Sequence, residues 1–319
     1  MGLNTVQGRP TAMTLADLVG EQTRHGFDLD FDANSRSIVT DFRESKGVLE
    51  ATASDASRFA SAAFQSIKQL ASVVVDREQT AWSLIKAYYA AFYAGHAIIR
   101  LTGESCSYFQ ALHVNRLRDL GLIYGKVPTF PLPASAYHCV FNASATVVRS
   151  GTLREGAGGA HGGFWNVFGI KLGKISEEVL LGPLGSIEKQ AVFDKLEEAR
   201  NLMRAHNSPL FSYLSVLRND IQYRHGQEVW LPHSLKKANR EQLSRLLNQW
   251  KRDPMDVDLT TKQVGRLGTF AVACAFIVSV CRALLVRLAE RSAISSRSFA
   301  MIGPLALLKA GNGTTKPDI

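Results

Sequence analysis

The chain has 319 residues, enough for one large core or two modest ones, and 46% of them are hydrophobic, which excludes general disorder. Lys and Arg number 37 against 28 Asp and Glu, a formal net charge of +9, so the surface favours a polyanionic partner, nucleic acid ahead of membrane. Four cysteines form no CxxC pair and no Cys–His grid, which argues against a zinc site and a disulfide framework.

The polar N-terminus carries no charged-then-apolar leader, so the cytoplasm is the expected location. Residues 1–54 read as an N-terminal arm with a short helix or two. From Ser57 to Val75, apolar and small residues recur every three or four positions (Phe59, Ala63, Ile67, Leu70, Val74), which predicts an amphipathic helix. The strongest helical stretch is Trp82 to Leu101, whose aromatic residues cover much of the circumference and predict a central position in a bundle. Phe130-Pro131-Leu132-Pro133 breaks any helix. Tyr137 to Arg149 alternates enough, with β-branched residues, to predict a short strand pair or an irregular insertion. A glycine-rich loop over Gly151–Gly163 opens into a helix at Phe164-Trp165. Helices are predicted over Ile187–His206, from Pro209 to His225 with Gly226 as a left-handed cap, and over His233–Trp250. The last long helix runs from Thr260 to Arg291, and a tail follows Ser292. Its apolar run, Leu267 to Cys281, falls short of the roughly 20 residues a bilayer span needs, so a buried core helix and no membrane partner are expected.

Ser215 to Pro232, SVLRNDIQYRHGQEVWLP, carries the most chemistry. Seven residues turn a helix by about 700° and advance it by about 10.5 Å, so Arg218 and His225 return to nearly the same face two turns apart. Asn219, Gln222 and Tyr223 line the neighbouring strip. Burying such groups without partners is costly, so the strip is expected to face water, a polar partner or a ligand. A solvated helix end satisfies this, with Arg224 and His225 well placed at the negative end of the helix dipole. An RNA phosphodiester site satisfies it too. Arg clamps a phosphate and stabilises the charge of a phosphorane, and His moves protons near neutral pH.

Arg218-Asn219, five further residues and His225 resemble the Arg-polar…His motif of the HEPN superfamily, in which four to six residues separate Arg from His. Here six do. The setting is similar as well: a tyrosine-rich helix, LIKAYYAAFYAGHAIIRL over 84–101, a His-Gly-Gly-Phe-Trp helix start at 161–165, the motif helix, and a closing apolar helix. The likeness covers roughly Ser57 to Glu290. It implies an all-α fold, a HEPN-type helical bundle over 55–291 with a small irregular or β-hairpin insertion at about 121–160. It implies a homodimer that joins two motif helices in a shared cleft, so that Arg218 of one chain meets His225 of the other. The implied activity is metal-independent, cofactor-free endoribonuclease action on RNA of the kind found in toxin–antitoxin, CRISPR and phage-defence systems, with a protein partner such as an antitoxin. Arg218 would be the phosphate clamp, His225 the proton-transfer group, and Asn219, Tyr223 and Arg224 auxiliary RNA contacts. Lys236 and Lys237 open a basic series that could extend an RNA track or form a solvated face. A non-catalytic HEPN module that binds RNA or a nucleotide, or scaffolds a complex, is the alternative. The His-x-Tyr extension of some HEPN toxins is missing, because Gln227 and Glu228 follow Gly226.

Other constellations offer less. No HxxxH, HExxH or GxSxG occurs, so neither a metal site nor a serine hydrolase triad is predicted. The run Gly156–Gly163 lacks the Lys-Ser/Thr of a phosphate-binding loop. His161 reads as a capping or packing residue and His96 as a satisfied core histidine.

Overall fold

The computed structural model describes residues 14–20, 27–153, 159–208, 210–260, 265–292 and 297–309. They fall into two compact units, each discontinuous in sequence. One comprises residues 1–61, 96–154 and 284–319; the other comprises 62–95 and 155–283.

The first unit is built on a five-stranded antiparallel sheet in the order β1-β2-β5-β4-β3. Its strands are β1 (Phe27–Asp32), β2 (Ser37–Phe42), β3 (Glu104–Phe109), β4 (Ser135–Phe141) and β5 (Val147–Thr152). In β1 the sequence FDLDFD alternates apolar and acidic, burying Leu29 while Asp28 and Asp30 stay exposed. The β1–β2 hairpin closes through the Asp32 carboxylate, which accepts from the N–H groups of Asn34 (3.0 Å) and Ser35 (3.3 Å). Asn142 does the same for β4–β5, its Oδ1 accepting from the N–H groups of Thr146 and Val147 at 2.9 Å each. Helices α1 (Leu15–Gly20) and α5 (Ala111–Ile123) pack on this sheet. The core between them includes Leu18, Ile38, Phe109, Leu117, Tyr137 and Val148, each such side chain contributing about 1.5–3 kcal/mol. The same unit buries a polar knot: Arg100 donates to the carbonyls of His96 (3.1 Å) and Cys106 (3.0 Å) and pairs with Asp55 at 3.6 Å. His96 stacks on Phe59 at 4.8 Å, in keeping with a packed core histidine.

The second unit is helical. It holds α3 (Leu70–Val73), α6 (Ala160–Leu181), α7 (Ser186–Met203), α8 (Tyr213–Arg224) and α9 (Lys237–Asn248). Helices α6, α7 and α8 pack on one another, and α3 lies on α9. Close approach in this stack depends on Gly169 of α6, since a Cβ there would fall 2.2 Å from the Phe211 ring. Three longer helices, α2 (Ser45–Ile67), α4 (Thr80–Leu101) and α10 (Gly265–Arg291), contribute residues to both units. Short α11 (Phe299–Ile302) and α12 (Pro304–Lys309) follow. By length and composition α10 could cross a bilayer, alone in this among the described residues, yet 72% of its most apolar window is buried inside the protein. It serves as a core helix.

The all-α expectation is corrected here. The chain is α+β, 64% helical with 11% strand in a single sheet. The expected strand pair is real, as β4 and β5, but it is no small insertion into a bundle. It joins β1 and β2 from the N-terminal arm and β3 from just after α4. Smaller differences have local causes. Helix α2 begins at Ser45, twelve residues before the predicted start, because its first turns bury small residues, Ala51, Ala53 and Ala56, with little apolar contrast. Pro209, residues 154–158 of the glycine-rich loop and residues 261–264 of the predicted last helix lie outside the described residues.

Candidate functional site

Helix α8 buries Leu214, Leu217, Arg218 and Ile221, positions that recur at three and four residues and form one stripe. Arg218 therefore points inward with the apolar residues. It is 5% exposed. Its guanidinium carbon lies 5.0 Å from the centre of the Tyr88 ring, 5.7 Å from Tyr89 and 5.9 Å from Tyr223, and such cation–π contacts are worth up to about 2 kcal/mol each where water is excluded. Nη1 donates to Gln222 Oε1 at 3.3 Å. Nε is buried and has no hydrogen-bond partner, a costly omission for a charged group.

Tyr88 leads from Arg218 to a second polar group. Its hydroxyl lies 2.8 Å from Nδ1 of His161, in the first turn of α6, and accepts from Trp165 Nε1–H at 3.1 Å. Burial raises the Tyr88 pKa well above the usual phenol range, against smaller opposing effects of Trp165 and Arg218, so the hydroxyl keeps its proton. Burial, reinforced by the Arg218 charge, depresses the His161 imidazole to about 4, and it is neutral near pH 7. Phe92 stacks on its ring at 4.4 Å. A guanidinium, a phenol and a neutral imidazole thus stand together within aromatic walls.

His225 sits elsewhere. Helix α8 ends at Arg224, and His225 itself adopts the left-handed conformation, φ 53° and ψ 30°. Gly226, the predicted left-handed cap, does not. The N–H groups of His225 and Gly226 both turn back to the Asp220 carbonyl. Gly226 is needed for another reason, because a Cβ there would fall 2.6 Å from Asp220 Oδ2. His225 is exposed, with its ring 5.5 Å from that of Trp230, whose Nε1–H donates to the Ile221 carbonyl at 2.7 Å. Gln227 and Glu228 also have positive φ, so three non-glycine residues among the four from His225 to Glu228 hold backbone strain at the end of the motif.

The remaining residues selected from the sequence also lie in the second unit. Tyr223, 68% exposed, is brought to Arg218; Asn219 is half-buried beside it in sequence; Arg224 is exposed. Lys236 and Lys237 stand exposed at the start of α9, with Lys237 3.8 Å from Glu241. Arg240 of the basic series is committed to structure, donating to the Val75 carbonyl at 2.8 Å. A cleft of about 320 Å³ opens beside the strained segment, lined by Gln227, Leu235, Asn239, Gln242 and Arg266. Among the described residues no group of three His, Cys, Asp or Glu side chains is placed to hold a metal ion.

The structure therefore brings together Arg218, Gln222, Tyr223, Tyr88 and His161, and leaves His225 apart from them within the chain. Tyr88 and His161 were read from sequence as packing residues. The tyrosine-rich run of α4 was visible, but not that one hydroxyl of it meets a histidine 73 positions away. Compared with known proteins, the chain matches no family model, no curated protein and no solved structure.

Proposed function

We propose that the protein cleaves RNA without a metal, as a homodimer of the HEPN-like kind, with Arg218 and His225 contributed across a two-fold axis. The observation that carries this reading is Arg218: a nearly buried guanidinium with one N–H left without a partner. Polar groups are rarely left so unless something else completes them. Backbone strain at His225, Gln227 and Glu228 supports it, since strain of this kind gathers at functional segments. In the proposed step the ribose 2′-oxygen attacks the adjacent phosphorus, and the bond to the 5′-oxygen breaks. The His225 imidazole takes the proton of the 2′-hydroxyl and, as imidazolium, gives it up to the departing 5′-oxygen, so the imidazole ends neutral as it began. The products are a 2′,3′-cyclic phosphate and a 5′-hydroxyl, while Arg218 holds the charge on the phosphoryl oxygens.

Purified protein incubated with RNA in chelator should yield those ends. His225→Ala, at an exposed position, should abolish cleavage with an unchanged melt. Intact RNA at high protein concentration would sink the reading. A second reading, binding of RNA or a nucleotide without cleavage, is favoured by the burial of Arg218 behind Tyr88 and Tyr89. It predicts RNA retained in a filter assay, no new ends, and loss of retention in Arg218→Gln.

A further inference from the structure

The cleft beyond the end of α8 is lined from three directions. Gln227 and Leu235 come from the chain between α8 and α9, Asn239, Gln242 and Leu243 from the first two turns of α9, and Arg266 and Leu267 from the first turn of α10. All seven belong to the second unit. Three carboxamides, one guanidinium and three leucines thus border a single space of about 320 Å³, at the small end of the range for ligand sites.

The polar groups differ in how firmly they are set. A carboxylate only accepts, so the Gln227 amide nitrogen faces Asp220 Oδ2 at 2.8 Å and Oε1 remains as an open acceptor. Arg266 is pinned through its carbonyl, which accepts from the Tyr213 hydroxyl at 2.5 Å. Its guanidinium bears on Asp220 and Tyr213, yet with five N–H groups and a side chain 41% exposed it keeps donors for a ligand. Asn239 and Gln242 make no side-chain hydrogen bond among the described residues, so each offers donors and an acceptor.

No carboxylate lines the space, so a cation has nothing to pair with there. The matching ligand has apolar faces for the leucines, donors and acceptors side by side on its edge for the carboxamides, and negative charge attached. A nucleobase on its sugar phosphate has all three. Asn and Gln are the side chains that make two-point contacts with a base edge. Arg266, or exposed Lys236 next to Leu235, can take the phosphate. The net charge of +9 favours the same polyanion. His225 stands two residues before Gln227 in the chain, which puts the cleft next to the proposed reacting group.

We propose that this cleft holds one unpaired nucleobase of an RNA strand, its edge read by Gln227, Asn239 and Gln242, its face against the leucines, and its phosphate near Arg266. The identity of the natural ligand rests on the RNA reading above, but the site lies within one chain and would stand if the protein cut nothing. Single-stranded RNA is the form that can supply such a base, since its edges are free.

The test titrates full-length protein with AMP, GMP, CMP and UMP at constant ionic strength, with ribose 5-phosphate as the control that lacks a base, and reads binding by calorimetry. At least one mononucleotide should bind saturably and tenfold or more tighter than ribose 5-phosphate. Asn239→Leu and Gln242→Leu should each weaken it severalfold. Absence of saturable binding, equal affinity for ribose 5-phosphate, or native affinity in both variants overturns the site. A second arm compares a short single-stranded oligoribonucleotide with the same strand in a duplex. The single strand should bind tighter than both the duplex and the mononucleotide; a duplex that binds as well overturns the unpaired base, and a strand no tighter than the mononucleotide overturns RNA as its source. Should the variants fail to fold, saturation transfer in the native protein decides. Irradiated leucine methyls should pass saturation to the base protons of the nucleotide, and transfer to ribose protons alone overturns the site. Cleavage is read separately: nucleotide binding with uncut RNA keeps the cleft and removes the nuclease reading, and cut RNA without nucleotide binding does the reverse.

Discussion

The α-carbon of Gly226 lies so close to the side chain of Asp220 that one added methyl would fall 2.6 Å from Oδ2. Asp220 is occupied three ways: its carbonyl accepts from His225 and Gly226, its carboxylate accepts from Gln227 Nε2 at 2.8 Å, and Arg266 stands 4.0 Å away. The end of α8 is closed on this one aspartate. Gly226→Ala should therefore push the carboxylate out of place and destabilise the protein by about 1–3 kcal/mol, as overpacking does. Urea melts of Gly226→Ala, Asp220→Ala and the double variant check this. The cost of Gly226→Ala should shrink in the Asp220→Ala background, and simple additivity would contradict the account.

His161 predicts a pH dependence. Its folded pKa, about 4, lies below the ordinary imidazole value of 6.5. As pH falls, the unfolded chain takes up this proton before the folded one, so stability present at pH 7 is lost between about 6.5 and 4. The charged and titratable groups facing the ring are Arg218 on α8 and Tyr88 and Tyr89 on α4. Because the ring is only about half buried, solvent screening reduces the effect to about 1–2 kcal/mol. His206, lowered by its own burial and by Arg266, acts in the same direction. The comparison that isolates His161 is denaturant midpoints at pH 7 and pH 5 for the native chain and His161→Gln. The variant should lose less stability at pH 5, and parallel losses would refute the assignment.

In the first unit, Arg100 and Arg58 both pair with Asp55, but in different surroundings. Arg100 is 3% exposed and also holds the carbonyls of His96 and Cys106, whereas the Arg58 side chain is about half exposed. Arg100→Met should cost about 3 kcal/mol or more, because buried acceptors and a carboxylate lose their donor. Arg58→Ala should cost less than about 1 kcal/mol. Thermal melts of the two variants give the ranking, and equal costs would show that the buried knot is not what holds these residues.

All four cysteines are free and buried. Burial pushes the thiols of Cys106 and Cys281 up to about 12 and raises those of Cys139 and Cys274 as well. Thiolate is the reactive form, so the native protein should resist a disulfide reagent such as DTNB and release four equivalents only on unfolding. Rapid reaction of a native thiol would mean that one of these environments opens readily.

Much of the helical framework could be read in advance, but of the sheet only the β4–β5 pair could. Residues 82–101 announce α4 because large apolar side chains recur at helical spacing. β3 gives no such signal: in ESCSYF the buried residues include Glu104, Ser105 and Ser107, whose place inside depends on partners such as His138, 2.8 Å from Glu104, on another strand. β1 does alternate, but with aspartates it looks like a polar arm until β2 is found beside it. At the candidate site, spacing brought Arg218 and His225 to one face. It could not reveal that the helix stops between them, since Gly226 offered itself as the cap while the Asp220 side chain claimed that position. Nor could it pair Tyr88 with His161, a tertiary contact between two helix segments.

Among the described residues the edge strand β1 has one strand neighbour, β2, so its far side is where a further strand would pair. A second copy docking there would set Asp28 and Asp30 against the same two acids of its mate, and like charges across adjoining strands repel. The acidic alternation that disguised this segment in the sequence thus also opposes self-pairing along this edge of the sheet.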